Sequence, residues 1–126
     1  MEGGVVNPLP DDTPVHRIGG GSPDNLRLKP AEEVGDPPGI SSLLGGTPEA
    51  AARTMGKRFP RMAPKEQTVV GSSTAGRIRK AGFDVIPDPT KHFPTHGSII
   101  HPEGATGFND ENLGRLSDAF DNVEGL

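Results

Sequence analysis

The sequence has no cysteine, tryptophan or tyrosine, and phenylalanine, with five copies, is its only large aromatic residue. Without cysteine the chain can form neither a disulfide framework nor a thiolate metal site. No apolar run approaches the roughly 20 residues that are needed to cross a bilayer. The first ten residues also lack the basic start and the apolar stretch of a secretory signal. We therefore expect neither a transmembrane segment nor a signal peptide in this chain.

Glycine and proline are abundant instead, with 18 and 14 copies in 126 residues. Leu, Ile, Val and Phe together form about 21% of the chain, just above the level below which charged chains usually stay unfolded. The 13 basic and 17 acidic residues give a net charge of −4, so no overall field attracts nucleic acid or anionic lipid. Basic residues do cluster between Arg53 and Lys91, where they could face phosphate, although such runs usually mark a solvated surface.

Local patterns divide the chain into a flexible arm or linker end at residues 1–14 and a single domain at residues 15–126. The arm combines Gly, Pro, Asn and Asp with little periodicity. Alternating or short apolar runs predict strands at 15–18, 26–29, 39–44, 68–70, 83–86 and 97–101. Together with the helices below, they predict an α+β fold. We expect a small split or curved, mainly antiparallel sheet with about three helices and Gly/Pro-rich loops.

Three helices are predicted from capping residues and apolar spacing. Thr47 begins a helix at 49–59, and Ser72 or Ser73 begins a short helix that ends at Gly82. Asn109 or Asp110 begins the last helix. In this helix Leu113, Leu116 and Phe120 recur at the spacing of a buried face, so we expect it to pack on the sheet.

The first candidate site is the run of residues 15–22, in which a strand carries Arg17 and ends in three glycines. Backbone amides of such a turn can approach a phosphate closely, while a guanidinium donates two hydrogen bonds to its oxygens. The alternative is a plain glycine turn after a strand. No helix pattern follows the glycines, so this is not a Rossmann dinucleotide fingerprint.

Two further candidates are a serine pair and a histidine pair. Ser41 and Ser42 would present one hydroxyl to each face of a strand, outside any nucleophile elbow. His96 and His101 suggest acid–base catalysis together with Glu103, but five positions place them on opposite faces of a strand. A third convincing ligand is missing, so we predict no metal site. Surface or hydrogen-bonded structural roles are the alternative for each histidine.

A resemblance connects these residues. The segments 16–22, 25–30, 39–41, 82–87 and 101–104, with Gly107-Phe108 and Asn112-Leu113, resemble C-terminal toxin modules of polymorphic, Rhs-type bacterial toxins. Within that group, Arg17, Ser41 and Glu103 resemble the arginine, serine and glutamate pattern of ADP-ribosyltransferases. The resemblance implies that NAD is the substrate, that Arg17 binds a phosphate, that Ser41 braces the site and that Glu103 stabilises positive charge on the ribose.

From the residues and the resemblance together, we predict that Glu103 and His101 are catalytic and that Arg17, Ser41 and His16 bind NAD. The resemblance further implies a transferase effector that is secreted or delivered into a target-cell cytoplasm, with a cognate immunity protein as partner. Its target macromolecule stays open. Two alternatives remain. A metal-independent ribonuclease toxin would use His101 or His96 with Glu103 and bind RNA through the basic middle, and a non-enzymatic interaction module would dock a basic partner on the acidic last helix.

Overall fold

The computed structural model describes residues 9–35, 37–51, 53, 69–91, 93–120 and 122–125. Within them the chain forms strands β1 to β6, helices α1 to α3 and one 3-10 turn, and residues 48–51 are also helical. In chain order the elements are β1 (Pro14–Ile18), α1 (Pro30–Glu33), β2 (Gly39–Leu44), β3 (Val69–Thr74), α2 (Ala75–Lys80), β4 (Asp84–Pro87), β5 (His96–Ile100), the 3-10 turn (Gly104–Gly107), α3 (Asp110–Ala119) and β6 (Asn122–Gly125). The α+β class predicted from the sequence is confirmed.

One sheet contains the six strands in the order β4-β5-β2-β1-β3-β6, and each neighbouring pair is antiparallel. The pairs β2–β5 and β1–β3 each extend over five residue pairs. The central pair β1–β2 has only two, Val15 with Leu44 and His16 with Leu43. The sheet is therefore split at its centre, because β1 and β2 diverge beyond His16.

The core lies between one face of this sheet and helices α2 and α3. Leu113 and Leu116 of α3 are fully buried, and Phe120, which follows the helix, is 2% exposed. They belong to one hydrophobic cluster with Val85 of β4 and Ile99 of β5. The apolar spacing of the last helix thus predicted its packing correctly. Its start was also predicted, because the Asn109 side chain accepts a hydrogen bond from the backbone N–H of Asn112 at 2.9 Å.

Some predicted elements differ in the structure. Residues 26–29 form no strand: residues 23–26 are a turn, and the Leu26 N–H donates to the carbonyls of Ser22 and Pro23. Leu26 is nevertheless fully buried, so its apolar character reflects the core and not a strand period. The cap of α2 is Thr74, since β3 continues through Ser72 and Ser73. The predicted 49–59 helix begins at residue 48, and residues 54–59 lie outside the described part.

The arm predicted for residues 1–14 does not extend to residue 14. Leu9 packs against the core, and Pro14 begins β1. The carbonyls of Asp11 and Thr13 accept hydrogen bonds from Gly76 and Ala75 at 2.8 and 3.0 Å, which satisfies two free amides at the start of α2. Residues 9–13 are therefore part of the domain, and residues 1–8 lie outside the described part.

Deletion of residues 1–13 is expected to lower the free energy of unfolding by about 2 kcal/mol, because the amides of Ala75 and Gly76 lose their acceptors. The ion pair between Asp11 and Arg79 would be lost as well. Urea denaturation measures the effect. A variant that lacks only residues 1–8 is the reference, so that the difference isolates residues 9–13. Equal midpoints for the two deletions would contradict the packing role of this segment.

Candidate functional site

A cleft of about 930 Å³ lies along the split between β1 and β2. Residues 16–18 and 41–43 contribute from the two strands, and the segments 24–32 and 90–96 contribute the remaining lining residues. The apolar lining residues are Ile18, Leu28, Pro30, Leu43 and Phe93. The volume is near the upper end of the range for small-molecule sites, which is roughly 300–1,000 Å³.

Arg17 is a buried charged residue that lines this cleft. Its Nε donates to the side-chain oxygen of Asn25 at 3.0 Å, one terminal nitrogen donates to the Ser41 carbonyl at 2.7 Å, and the other donates to the Asn25 carbonyl. The residue is only 9% exposed. Burial lowers the pKa of Arg17, while the nearby carboxylate of Glu32 raises it. A guanidinium stays protonated in proteins, so Arg17 is a buried cation.

The Ser41 carbonyl is available to Arg17 because of the split. The Gly45 N–H donates to the Pro14 carbonyl at 2.8 Å. Because the backbone N–H and C=O groups of every second residue in a strand point to the same side, those of Ser41 also point toward β1. At Ser41 the β1 backbone has already diverged, and the guanidinium takes the place of a strand partner. Arg17 makes three hydrogen bonds with its five N–H groups, so two N–H groups have no partner among the described residues.

His16 also lines the cleft, but both ring nitrogens are bonded. Nε2 lies 3.1 and 3.2 Å from the carbonyls of Gly45 and Gly46, and Nδ1 lies 2.8 Å from the Ser72 hydroxyl. Since carbonyl oxygens only accept, Nε2 carries the proton and Nδ1 accepts from Ser72. The ring therefore ties β1 to β3 and to the turn after β2, and it supports the cleft without offering a free nitrogen.

The two serines occupy different environments beside the split. Ser41 is exposed, and its carbonyl receives the Arg17 guanidinium. Ser42 is 4% exposed, and within the described residues its hydroxyl oxygen has no hydrogen-bond partner. Because an unpaired buried hydroxyl is costly, a ligand polar group that reached Ser42 would recover that energy.

The glycines after β1 do not line the cleft. Gly19 and Gly20 adopt φ values of 95° and 108°, which glycine accepts without strain. A side chain on Gly21 would collide with Phe120, and one on Gly71 would lie 2.7 Å from the Gly20 backbone. The geometry thus matches the alternative of a structural glycine turn, and phosphate binding by these residues stays a prediction.

Glu103 and His101 lie away from the cleft. Both follow β5 at its far end, where the His101 ring packs edge-on against Phe83 at 4.8 Å. The His101 Nδ1 accepts from the Glu103 backbone N–H at 3.1 Å, and Nε2 is 3.4 Å from the Asn112 amide. Glu103 is exposed and precedes the 3-10 turn. The predicted convergence therefore holds for Arg17 and Ser41 but not for Glu103, since the cleft is bounded by the opposite end of β5.

His96 is the cleft residue that the catalytic prediction missed. It begins β5 and pairs with Leu43, which in turn pairs with His16, so the three side chains share a face of the sheet. His96 was considered with His101 for acid–base catalysis and with Glu103 under the ribonuclease alternative, but it was not among the predicted catalytic residues. The signal that identifies it is the antiparallel pairing of β2 with β5, which depends on long-range register and not on local spacing.

Charged groups around the cleft are largely paired. Arg27 contacts Asp24 at 3.1 Å and Asp110 at 2.7 Å, and the Glu32 carboxylate accepts from the Lys29 backbone N–H at 2.8 Å. Throughout the described ranges, no group of three or more His, Asp or Glu residues could hold a metal ion. In the same residues no helix is long and apolar enough to cross a membrane.

Comparisons with known proteins found no relative: no family model, no curated protein and no solved structure matches the chain.

Proposed function

We propose that the cleft binds NAD and that the chain breaks the bond between nicotinamide and ribose, as the toxic domain of a delivered bacterial effector. The observation that carries this function is the Arg17 guanidinium, buried in the split beside Ser41 with two N–H groups uncommitted. ADP-ribose would pass to water or to an acceptor on a target macromolecule. Delivery into a target cell and a cognate immunity protein belong to the same proposal, through the resemblance to polymorphic toxins.

A diphosphate suits this arrangement for electrostatic reasons. A buried cation lacks the hydration that it has in water, so an anion that pairs with it restores a large interaction. The guanidinium is planar and rigidly held by Asn25 and Ser41, which directs its free N–H groups instead of leaving them mobile. The volume near 930 Å³ suits a dinucleotide, and Leu28, Leu43 and Phe93 offer apolar surface to its rings.

Glu103 receives no role in this function, because it does not line the cleft. The carboxylates that do, Asp24 and Glu32, already have partners in Arg27 and the Lys29 backbone. Binding therefore rests on Arg17, and His16 and Ser41 supply the frame that holds it.

The test is incubation of the purified protein with NAD, with nicotinamide release followed by chromatography. We expect release by the wild type and equal release by Glu103→Gln, since that carboxylate is exposed and remote from the cleft. Release by the wild type that falls about a hundredfold in Glu103→Gln would restore the three-residue site predicted from the sequence. No release by the wild type would contradict NAD cleavage.

A ribonuclease is the second candidate, favoured by one observation: His96 lies in the same cleft as the Arg17 guanidinium. A histidine base with a cation is a suitable pair for attack of a ribose 2′-hydroxyl on the adjacent phosphate. Incubation with total RNA distinguishes it, because this reaction leaves 2′,3′-cyclic phosphate ends and releases no nicotinamide. Inertness toward both substrates would favour the interaction module.

A further inference from the structure

We infer that His96 is the general base of the cleft, and that its Nε2 removes the proton from the hydroxyl that attacks the ribose. This inference rests on the NAD cleavage proposed above. It adds a catalytic residue to a site in which Arg17 and Ser41 bind and position but do not accept protons.

The first step is the tautomer of His96. Its Nδ1 lies 2.8 Å from the backbone carbonyl of Asp88, and a carbonyl oxygen only accepts. Nδ1 therefore carries the proton, and Nε2 has its lone pair available. The Asp88 N–H also donates to the His96 carbonyl at 2.9 Å, so the two residues are held together by a pair of hydrogen bonds.

The second step is the freedom of Nε2. Among the described residues it has no hydrogen-bond partner, although the side chain is only 17% exposed and lines the cleft. The other described histidines of interest differ. His16 uses both nitrogens, and the His101 ring lies against Phe83 with each nitrogen near an N–H group. His96 is thus the one of the three that lines the cleft and has a ring nitrogen without a hydrogen-bond partner among the described residues.

The third step is the charge around the ring. The Asp88 carboxylate lies 3.8 Å from Nδ1. The other charged or titratable groups of the cleft come from β1 and the segment 24–32; they are His16, Arg17, Asp24, Arg27, Lys29 and Glu32. Asp24 and Arg27 pair with each other, which limits their effect on His96.

The reaction then balances without a further reagent. Nε2 takes the proton of water or of an acceptor hydroxyl, and the oxygen forms a bond to the anomeric carbon of the ribose. The bond from that carbon to the pyridinium nitrogen breaks, and its electron pair leaves with nicotinamide, which becomes neutral. The proton on His96 passes to solvent. With water as nucleophile the products are ADP-ribose, nicotinamide and one proton.

The test is the variant His96→Asn, compared with His101→Asn as a matched change away from the cleft. The asparagine amide can still donate to the Asp88 carbonyl, but the base is gone. We expect nicotinamide release to fall about a hundredfold, with NAD affinity by calorimetry unchanged and part of the rate restored by added imidazole. His101→Asn should keep wild-type turnover. Nitrogen NMR of the wild type should show a protonated Nδ1 and an unprotonated Nε2 on His96.

The outcomes separate the two proposals. If the wild type releases nicotinamide and His96→Asn releases it at the same rate, His96 is not the base while NAD cleavage stands. A proton on Nε2 in the NMR spectrum would also overturn the role of His96 alone. If the wild type releases none, NAD cleavage fails and the assignment of His96 to it fails as well.

Discussion

Replacement of Phe120 by alanine is expected to lower the free energy of unfolding by about 3–5 kcal/mol, the cost of removing a buried aromatic ring from a packed core. Phe120 is 2% exposed and joins α3 to the core. Its Cβ and ring also pack directly against Gly21, so that a side chain at Gly21 would collide with them. Few neighbours can therefore move to fill the cavity.

Urea denaturation of Phe120→Ala measures this loss, and Val34→Ala is the control because Val34 is 84% exposed. The control should unfold within about 0.5 kcal/mol of the wild type. A midpoint for Phe120→Ala equal to that of the control would show that α3 is not anchored through this residue.

Replacement of Arg17 by methionine is expected to abolish measurable NAD binding and to lower stability by about 1–3 kcal/mol. The binding loss follows from removal of the one buried cation of the cleft. The stability loss follows because the Ser41 carbonyl and the Asn25 side-chain oxygen lose their donors at a partly buried position.

The conservative variant Arg17→Lys separates the two effects. Lysine keeps the charge but cannot donate to Asn25 and Ser41 in the same planar arrangement. Calorimetry should therefore show weakened NAD binding in Arg17→Lys and none in Arg17→Met, with circular dichroism confirming that both variants fold. Unchanged affinity in a folded Arg17→Met would remove Arg17 from the binding site.

Local signals predicted the elements whose formation depends on neighbours in sequence. The Asn109 cap, the buried stripe of Leu113 and Leu116, and the left-handed glycine at Gly82 all lie where their residue types indicate. Leu26 shows the limit of such signals, because a fully buried residue in a turn follows no period.

Of the candidate site, the sequence predicted the meeting of Arg17 and Ser41 but not the position of Glu103 or the role of His96. Arg17 and Ser41 meet because β1 and β2 are neighbours, which an α+β reading allows. Glu103 and His96 lie at opposite ends of one strand, and only the register of β5 on β2 decides which end borders the cleft. That register places His96 beside Leu43, and it follows from packing of the whole sheet and not from any local motif.

The split gives the sheet an internal seam. One leaf is β4-β5-β2 and the other is β1-β3-β6. Among the described residues, the leaves are joined by two residue pairs of β1 and β2, by the hydrogen bonds of Pro14 and His16 with the turn after β2, and by the Arg17 guanidinium. An anion that accepts hydrogen bonds from the remaining N–H groups would bind the Arg17 side chain, which also links β1 to β2. Binding in the cleft would therefore act on a side chain that also joins the two leaves, and the cleft follows the strand pair with the fewest residue pairs in the described sheet.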